Sequence, residues 1–310
     1  MKRQTRSSTR AARIAAASVT PSPTKKHKAK HESSPPIIQR RTLFRDKDDS
    51  KVTREEVKQL IRSSIPNVPD NFSTATSDGW CLVDGLHHCM QASNGILKEL
   101  IEEHGPPKYF LRYLQTGKTN TQGGSEDGYH SFRSLCRIVG SQQLAKSAAN
   151  MKWERLLGVV GASTDDTTNL TPQAILSIAQ NGCVEDDLRS PTGLSNAKVS
   201  CIIALSEAFE VGDLSDEILS SASDEEVSEK LQKIKGIGPW SVDMFLLFEC
   251  HRQDMLPLGD LAVRKGTAKL WKKGKNAQKD KSLVESLHEP FAPYRSISSY
   301  YMYQLIDGKK

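Results

Sequence analysis

Apolar residues recur at helical spacing along most of the chain after position 53. Leu82, Leu86 and Met90, then Ile96, Leu97, Leu100 and Ile101, mark one-sided faces that end at Gly105-Pro106-Pro107. From 53 to 113 the periodicity is mostly helical, with a loop around 66–79, and no alternating pattern suggests a strand. Residues 116–128 are polar and glycine-rich and read as a loop. A long helix follows from Tyr129 to Val139, pauses at Gly140-Ser141-Gln142-Gln143-Leu144, and resumes through 145–157. Thr171-Pro172 pairs an N-cap with proline at the first helical position, and opens a helix to Ala179. Gly193-Leu194-Ser195 leads into another, with Val199, Ile202, Ile203 and Phe209 near one face. The pattern predicts an all-α fold.

The most informative stretch is 231–260. Ser223 and Glu226 stand at capping-box spacing, and Val227, Leu231 and Ile234 recur at i, i+4, i+7. That helix stops at Gly236-Ile237-Gly238, where glycine permits positive φ and close approach of another backbone. Pro239 suits the first position of the next helix, and 240–250 is almost solidly apolar, as expected of a helix buried on most sides. Backbone N–H groups left open where that helix begins form a cup for a phosphate. Such a contact grips a nucleic-acid strand without reading its sequence. Pro257-Leu258-Gly259 then delivers Asp260 at the start of a predicted helix over 261–271. In that place an aspartate can serve simply as an N-cap. A carboxylate fixed there can also stabilise positive charge developing beside it.

The pattern LxxIxGIGPWSVDMF…LPLGDLAVRKG resembles the helix-hairpin-helix (HhH-GPD) DNA glycosylase superfamily, in its alkylpurine (3-methyladenine) DNA glycosylase II branch. The QQL segment, the string TPQAIL…LRSPTGLSNAKVSCIIALSEAF and the stretch Glu289 to Ser296 extend the resemblance over roughly 85–305. It implies two helical subdomains with the active site between them. It also implies a base excision repair enzyme acting on double-stranded damaged DNA, with no cofactor and no metal. Asp260 occupies the family's catalytic aspartate position. Trp240 and Tyr294 match places where relatives put aromatic rings around the extruded base, and an electron-rich face suits a cationic alkylated purine. Gly236, Ile237 and Gly238 are implied to hold the strand. Gln143, beside Gln142 and Leu144, is implied to fill the gap left in the helix. Ala145 departs from the serine more common there. The β-rich N-terminal domain of the bacterial inducible enzyme has no counterpart here.

Subclass turns on one position. Relatives that also cut the strand use a lysine after the hairpin as a Schiff-base nucleophile, and here that place is Trp240. The reading is therefore a monofunctional hydrolase that leaves an abasic site. The alternatives are a non-catalytic hairpin module that only binds DNA, which would not need the returned Asp260, and a bifunctional oxidised-base glycosylase/AP lyase.

Charge separates the N-terminal segment from the rest. Residues 1–50 carry 13 Lys/Arg against 4 Asp/Glu, with few large apolar side chains, whereas 51–310 carry 30 against 33. Too little surface can be buried in the first segment to offset its ordering entropy, so 1–50 is expected to be a disordered basic tail and 51–310 the folded domain. The run Lys25-Lys26-His27-Lys28-Ala29-Lys30 suits nuclear import, with an organelle transit segment as the alternative. Six scattered cysteines at 81, 89, 136, 183, 201 and 250 match no zinc or iron–sulfur spacing, which leaves reduced thiols. No apolar run is long enough to span a bilayer. A monomer with DNA as its partner is expected.

Overall fold

The computed structural model describes residues 52–64, 81–110 and 128–307, and among these every regular element is helical. The basic segment 1–50, the 66–79 loop and nearly all of the 116–128 loop lie outside the described residues. The first helices are α1 (Arg54–Ser64), α2 (Leu82–Gly95) and α3 (Lys98–His104). Ser93, Asn94 and Gly95 all take positive φ, which parts the apolar faces of α2 and α3. Asn and Gly tolerate that region best, so the break sits where the sequence permits it.

Next come α4 (His130–Ser141), α5 (Lys146–Val159), α6 (Pro172–Asn181), α7 (Asn196–Glu210), α8 (Asp216–Ser221), α9 (Asp224–Gln232) and α10 (Pro239–Phe248). A π-helical turn, Val184–Arg189, precedes α7. α4 has no side-chain cap of its own, and buried Asp216 supplies one from α8. Its Oδ2 accepts from His130 N at 2.9 Å and its Oδ1 from Ser131 N at 2.7 Å. Buried Arg133 donates to the Leu170 and Thr168 carbonyls, tying α4 to the segment before α6. The chain ends with α11 (Leu261–Leu270), α12 (Lys281–His288) and α13 (Arg295–Asp307).

Two separate cores result among the described residues. The central lobe packs Phe132, Leu135, Leu157, Ile202, Leu205, Leu231 and Phe245 from α4 to α10. The terminal lobe joins both ends of the domain, with Leu60, Leu86, Met90 and Ile101 against Val263, Phe291, Ile297 and Tyr301. Each such side chain, fully buried, contributes about 1.5–3 kcal/mol. α11 crosses α13 at Gly266, where a Cβ would stand 2.6 Å from the Met302 carbonyl oxygen. Only a residue without a side chain lets the two backbones approach so closely.

The connection from α10 to α11 passes from the central to the terminal lobe, and α13 fixes it. Arg295 donates through Nε and Nη2 to the two Asp254 oxygens at 2.8 and 2.7 Å, a bidentate pair. Met255 N donates to Ser296 Oγ at 2.8 Å, and Ser299 Oγ donates to the Met255 carbonyl at 2.9 Å. Asp260 is thus brought to the junction of the lobes by a segment with little freedom. No helix among the described residues is long and apolar enough to cross a membrane.

Candidate active site

The hairpin begins with α9, whose capping box is formed in both directions. Ser223 Oγ accepts from Glu226 N, and Glu226 Oε2 accepts from Ser223 N. Its two glycines then do different things. Gly236 has φ +105°, and a Cβ there would lie 2.9 Å from Cys201 Cβ and 3.0 Å from its sulfur. Both the dihedral and the contact demand glycine. Gly238 is extended (φ −109°, ψ 178°), and a Cβ on it would meet nothing within 4 Å. It N-caps α10, and no side chain closes that helix start. The positive φ that glycine permits is used by Gly236 alone; Gly238 leaves an open surface. Ile237 is buried in the central core, so only its backbone faces outward, and its side chain anchors the turn.

The loop between α4 and α5 stands beside the hairpin. Gln142 does not reach into solvent, because its Nε2 donates to the Gly236 carbonyl and to Ser241 Oγ, both at 2.9 Å. Gln143 is exposed at φ +56°, and Leu144 is 38% exposed. These two side chains form the free tip.

Asp260 caps α11, as its position after the turn predicts. Oδ1 accepts from Ala262 N at 2.6 Å and Val263 N at 3.2 Å. Oδ2 accepts from Trp240 Nε1 at 2.6 Å, and the residue is 9% exposed. These three donors are uncharged, so they orient the carboxylate without neutralising it. A cavity of about 1020 Å³ opens between the lobes here. The central lobe lines it with Gln142, Gln143, Leu144, Gly236, Gly238 and Trp240, and the terminal lobe with Asp260, Leu261, Lys265, Ile306 and Asp307.

Tyr294 is not among the residues lining this cavity. Its ring rests on α2, where a Cβ at Gly85 would come 3.0 Å from Tyr294 Cδ1, and it lies 5.5 Å from the His88 ring. The missing side chain at Gly85 admits the ring to the terminal core instead. The structure thus brings together Asp260, Trp240, the hairpin glycines and the glutamine loop, and leaves Tyr294 outside.

Two residues near Asp260 carry no sequence signal. Asp243 lies one turn beyond Trp240 on α10. Burial pushes its carboxyl up to about 6, and the negative charge of Asp260 adds to the effect. Tyr303 reaches in from α13, where burial raises its hydroxyl well above the usual range, and the charges of Asp260 and Asp243 reinforce this. Its hydroxyl contacts Met244 Sδ at 3.6 Å. Both roles depend on how α10, α11 and α13 cross.

Known proteins resemble this chain over the segment that holds the site. Residues 136–293 match the family model described as HhH-GPD superfamily base excision DNA repair protein. DNA-3-methyladenine glycosylase 1 of Schizosaccharomyces pombe is 30% identical over 174 residues, covering 56% of this chain and 71% of that protein. The DNA-3-methyladenine glycosylase of Saccharomyces cerevisiae is 27% identical over 206 residues, covering 56% of this chain and 66% of that protein. Among solved structures, the Schizosaccharomyces pombe 3-methyladenine DNA glycosylase in complex with abasic DNA superposes with a TM-score of 0.57 at 27% identity, over 71% of this chain and 95% of that one. The matched segment contains the glutamine loop, the hairpin and Asp260, and the chain belongs to the HhH-GPD superfamily of base excision DNA repair proteins, as a DNA glycosylase.

Proposed function

We propose that this glycosylase hydrolyses the N-glycosidic bond of alkylated purines in duplex DNA, 3-methyladenine and 7-methylguanine among them, and leaves an abasic site. The observation that carries this reading is the joint placement of Asp260 and Trp240 in a cavity flanked by the hairpin and the exposed Gln143. The names of the relatives agree with it.

An alkylated purine is a cationic leaving group, so it departs as a neutral base without a general acid. Positive charge then develops on the deoxyribose, and the oriented Asp260 carboxylate stabilises it. Water adds to the anomeric carbon and loses its proton by way of the carboxylate to solvent. Trp240 Nε1 is engaged with Asp260, which leaves the ring to contact the base, and an indole face attracts a cation. Gly238 offers the open helix start to a phosphate, and Gln143 stands where it can enter the stack.

α10 carries no lysine, which supports hydrolysis without strand cleavage, although Lys146 and Lys265 line the cavity. The test is single-turnover incubation with methylated duplex DNA. Free 3-methyladenine and 7-methylguanine are expected, with the strand cut only after heat or alkali. A borohydride-trapped covalent adduct would make the enzyme a lyase through one of those lysines. Undiminished binding with no base released would make it a binding module.

A further inference from the structure

The glutamine loop and the hairpin share one support, the first turns of α7. On the hairpin side, Gly236 packs against Cys201, with the Ala197 carbonyl 3.9 Å from the position of its missing Cβ. On the loop side, Lys198 Nζ donates to the Gly140 carbonyl at 2.9 Å and the Gln142 carbonyl at 2.8 Å. These are the last carbonyls of α4 and its cap, which the helix itself leaves without donors. Gln142 closes the triangle, its side chain bound to Gly236 and Ser241 while its own carbonyl takes the lysine. Burial lowers the Lys198 ammonium, with Lys152 nearby adding repulsion, so the contact is held against a desolvation cost.

The next residue shows what the clamp accomplishes. Gln143 sits at φ +56°, in the left-handed region that costs a non-glycine residue roughly 1–2 kcal/mol. Such a conformation persists where its surroundings over-determine it. The bonds to both ends of the Gln142 residue supply that constraint.

We infer that Lys198 is a positioning residue for base extrusion, latching the glutamine loop at a fixed distance from the hairpin so that Gln143 enters the duplex while the hairpin holds the strand. Gln142 is the strut of this latch and not a second probe of the stack. The inference rests on the reading of Gln143 as the inserted residue.

The experiment compares single-turnover release of one alkylated purine from three substrates: a paired duplex, a mismatched duplex and a single strand. Full-length Lys198→Met is expected to lose about tenfold on the paired duplex and little on the other two, since extrusion costs most from a paired stack. Lys198→Arg, which keeps a cationic donor, is expected to recover most of the loss. Gln143→Ala should show the same selectivity, and the double variant should lose no more than the larger single loss, because the two act as one unit. Equal losses on all three substrates, or additive losses in the double variant, would overturn the latch. If Gln143→Ala shows no preference for paired DNA, it is the insertion reading that fails. Thermal melting accompanies each variant. Should Lys198→Met not fold, Gln142→Leu removes both bonds at the hairpin end of the strut and leaves the backbone carbonyl to Lys198; a loss confined to the paired duplex is then expected, and equal losses on all three substrates would overturn the latch.

Discussion

Two helices begin at the edge of one cavity, and they begin in opposite ways. α10 starts at Gly238 with no side chain closing its first turn, while α11 starts at Asp260, whose carboxylate takes the N–H groups of Ala262 and Val263. Both starts carry the partial positive charge of a helix dipole. At α11 the protein answers it with an internal anion; at α10 no side chain answers it. The same local physics thus gives a fixed carboxylate on one side of the cavity and an open helix start on the other, which the proposed function uses as reaction carboxylate and phosphate seat. The difference lies in a single residue at each N-cap. The terminal lobe buries its charge in fixed hydrogen bonds, and the central lobe exposes backbone.

The sharpest way to break this comparison is Asp260→Asn, which keeps a cap of nearly the same shape. Single-turnover excision should fall on the order of 100- to 1,000-fold, the usual effect of removing a preorganised electrostatic partner. Gel-shift affinity should barely move, and melting temperature should fall by only a few degrees, because Asn keeps one oxygen for Ala262 and Val263 but turns its NH2 toward Trp240 Nε1. Near-normal release would reduce Asp260 to a cap.

Gly238→Asp converts the open start into a closed one. Its dihedrals suit any residue and its surroundings are empty, so the helix should gain a cap and lose no stability. The added carboxylate would repel the strand, and affinity for duplex DNA should drop about tenfold or more, measured by fluorescence anisotropy at fixed salt. Unchanged affinity would mean that the phosphate is held elsewhere.

Gly266→Ala probes how firmly the Asp260 helix is seated. A methyl group there meets the Met302 carbonyl oxygen at 2.6 Å. Overpacking of this kind costs about 1–3 kcal/mol, which corresponds to a drop of several degrees in melting temperature. A variant as stable as the parent would show that α11 and α13 part easily.

The smallest effect concerns Asp243. Its carboxyl is held at about 6, above the ordinary carboxylate value, so the folded state binds an extra proton between those pH values. Stability therefore falls as pH rises through that window, and the penalty is complete near pH 7. Asp243→Asn removes it. Stability should rise at pH 7.5 by on the order of 1 kcal/mol once solvent access is allowed for, read as a higher melting temperature, and should not change near pH 4. A gain of equal size at both pH values would rule out the titration.

Features made of neighbouring residues were legible before any fold was known. The capping box of Ser223 and Glu226, Pro239 opening α10 and Asp260 capping α11 are all satisfied within a few residues, by backbone groups whose positions a helix start dictates, whereas α9, expected to run to Gly236, ends at Gln232 and passes through turns to the glycine. The apolar periodicity likewise announced the helical class, and the spacing around 231–260 carried the family. What the sequence could not contain was the set of crossings. Asp216 caps α4 from 86 residues away, and Lys198 grips the Gln142 carbonyl across 56. Tyr294 lies against Gly85 on another helix, and it is not among the residues that line the cavity. Tyr303 sits in an unremarkable stretch of α13 and comes near the Asp260 carboxylate because Gly266 lets α11 and α13 touch. Caps and turns are decided by the nearest backbone groups, and these the sequence states outright. Which side chains share a cavity depends on packing between distant helices, where one absent Cβ makes room for a whole ring, and only the tertiary structure decides that.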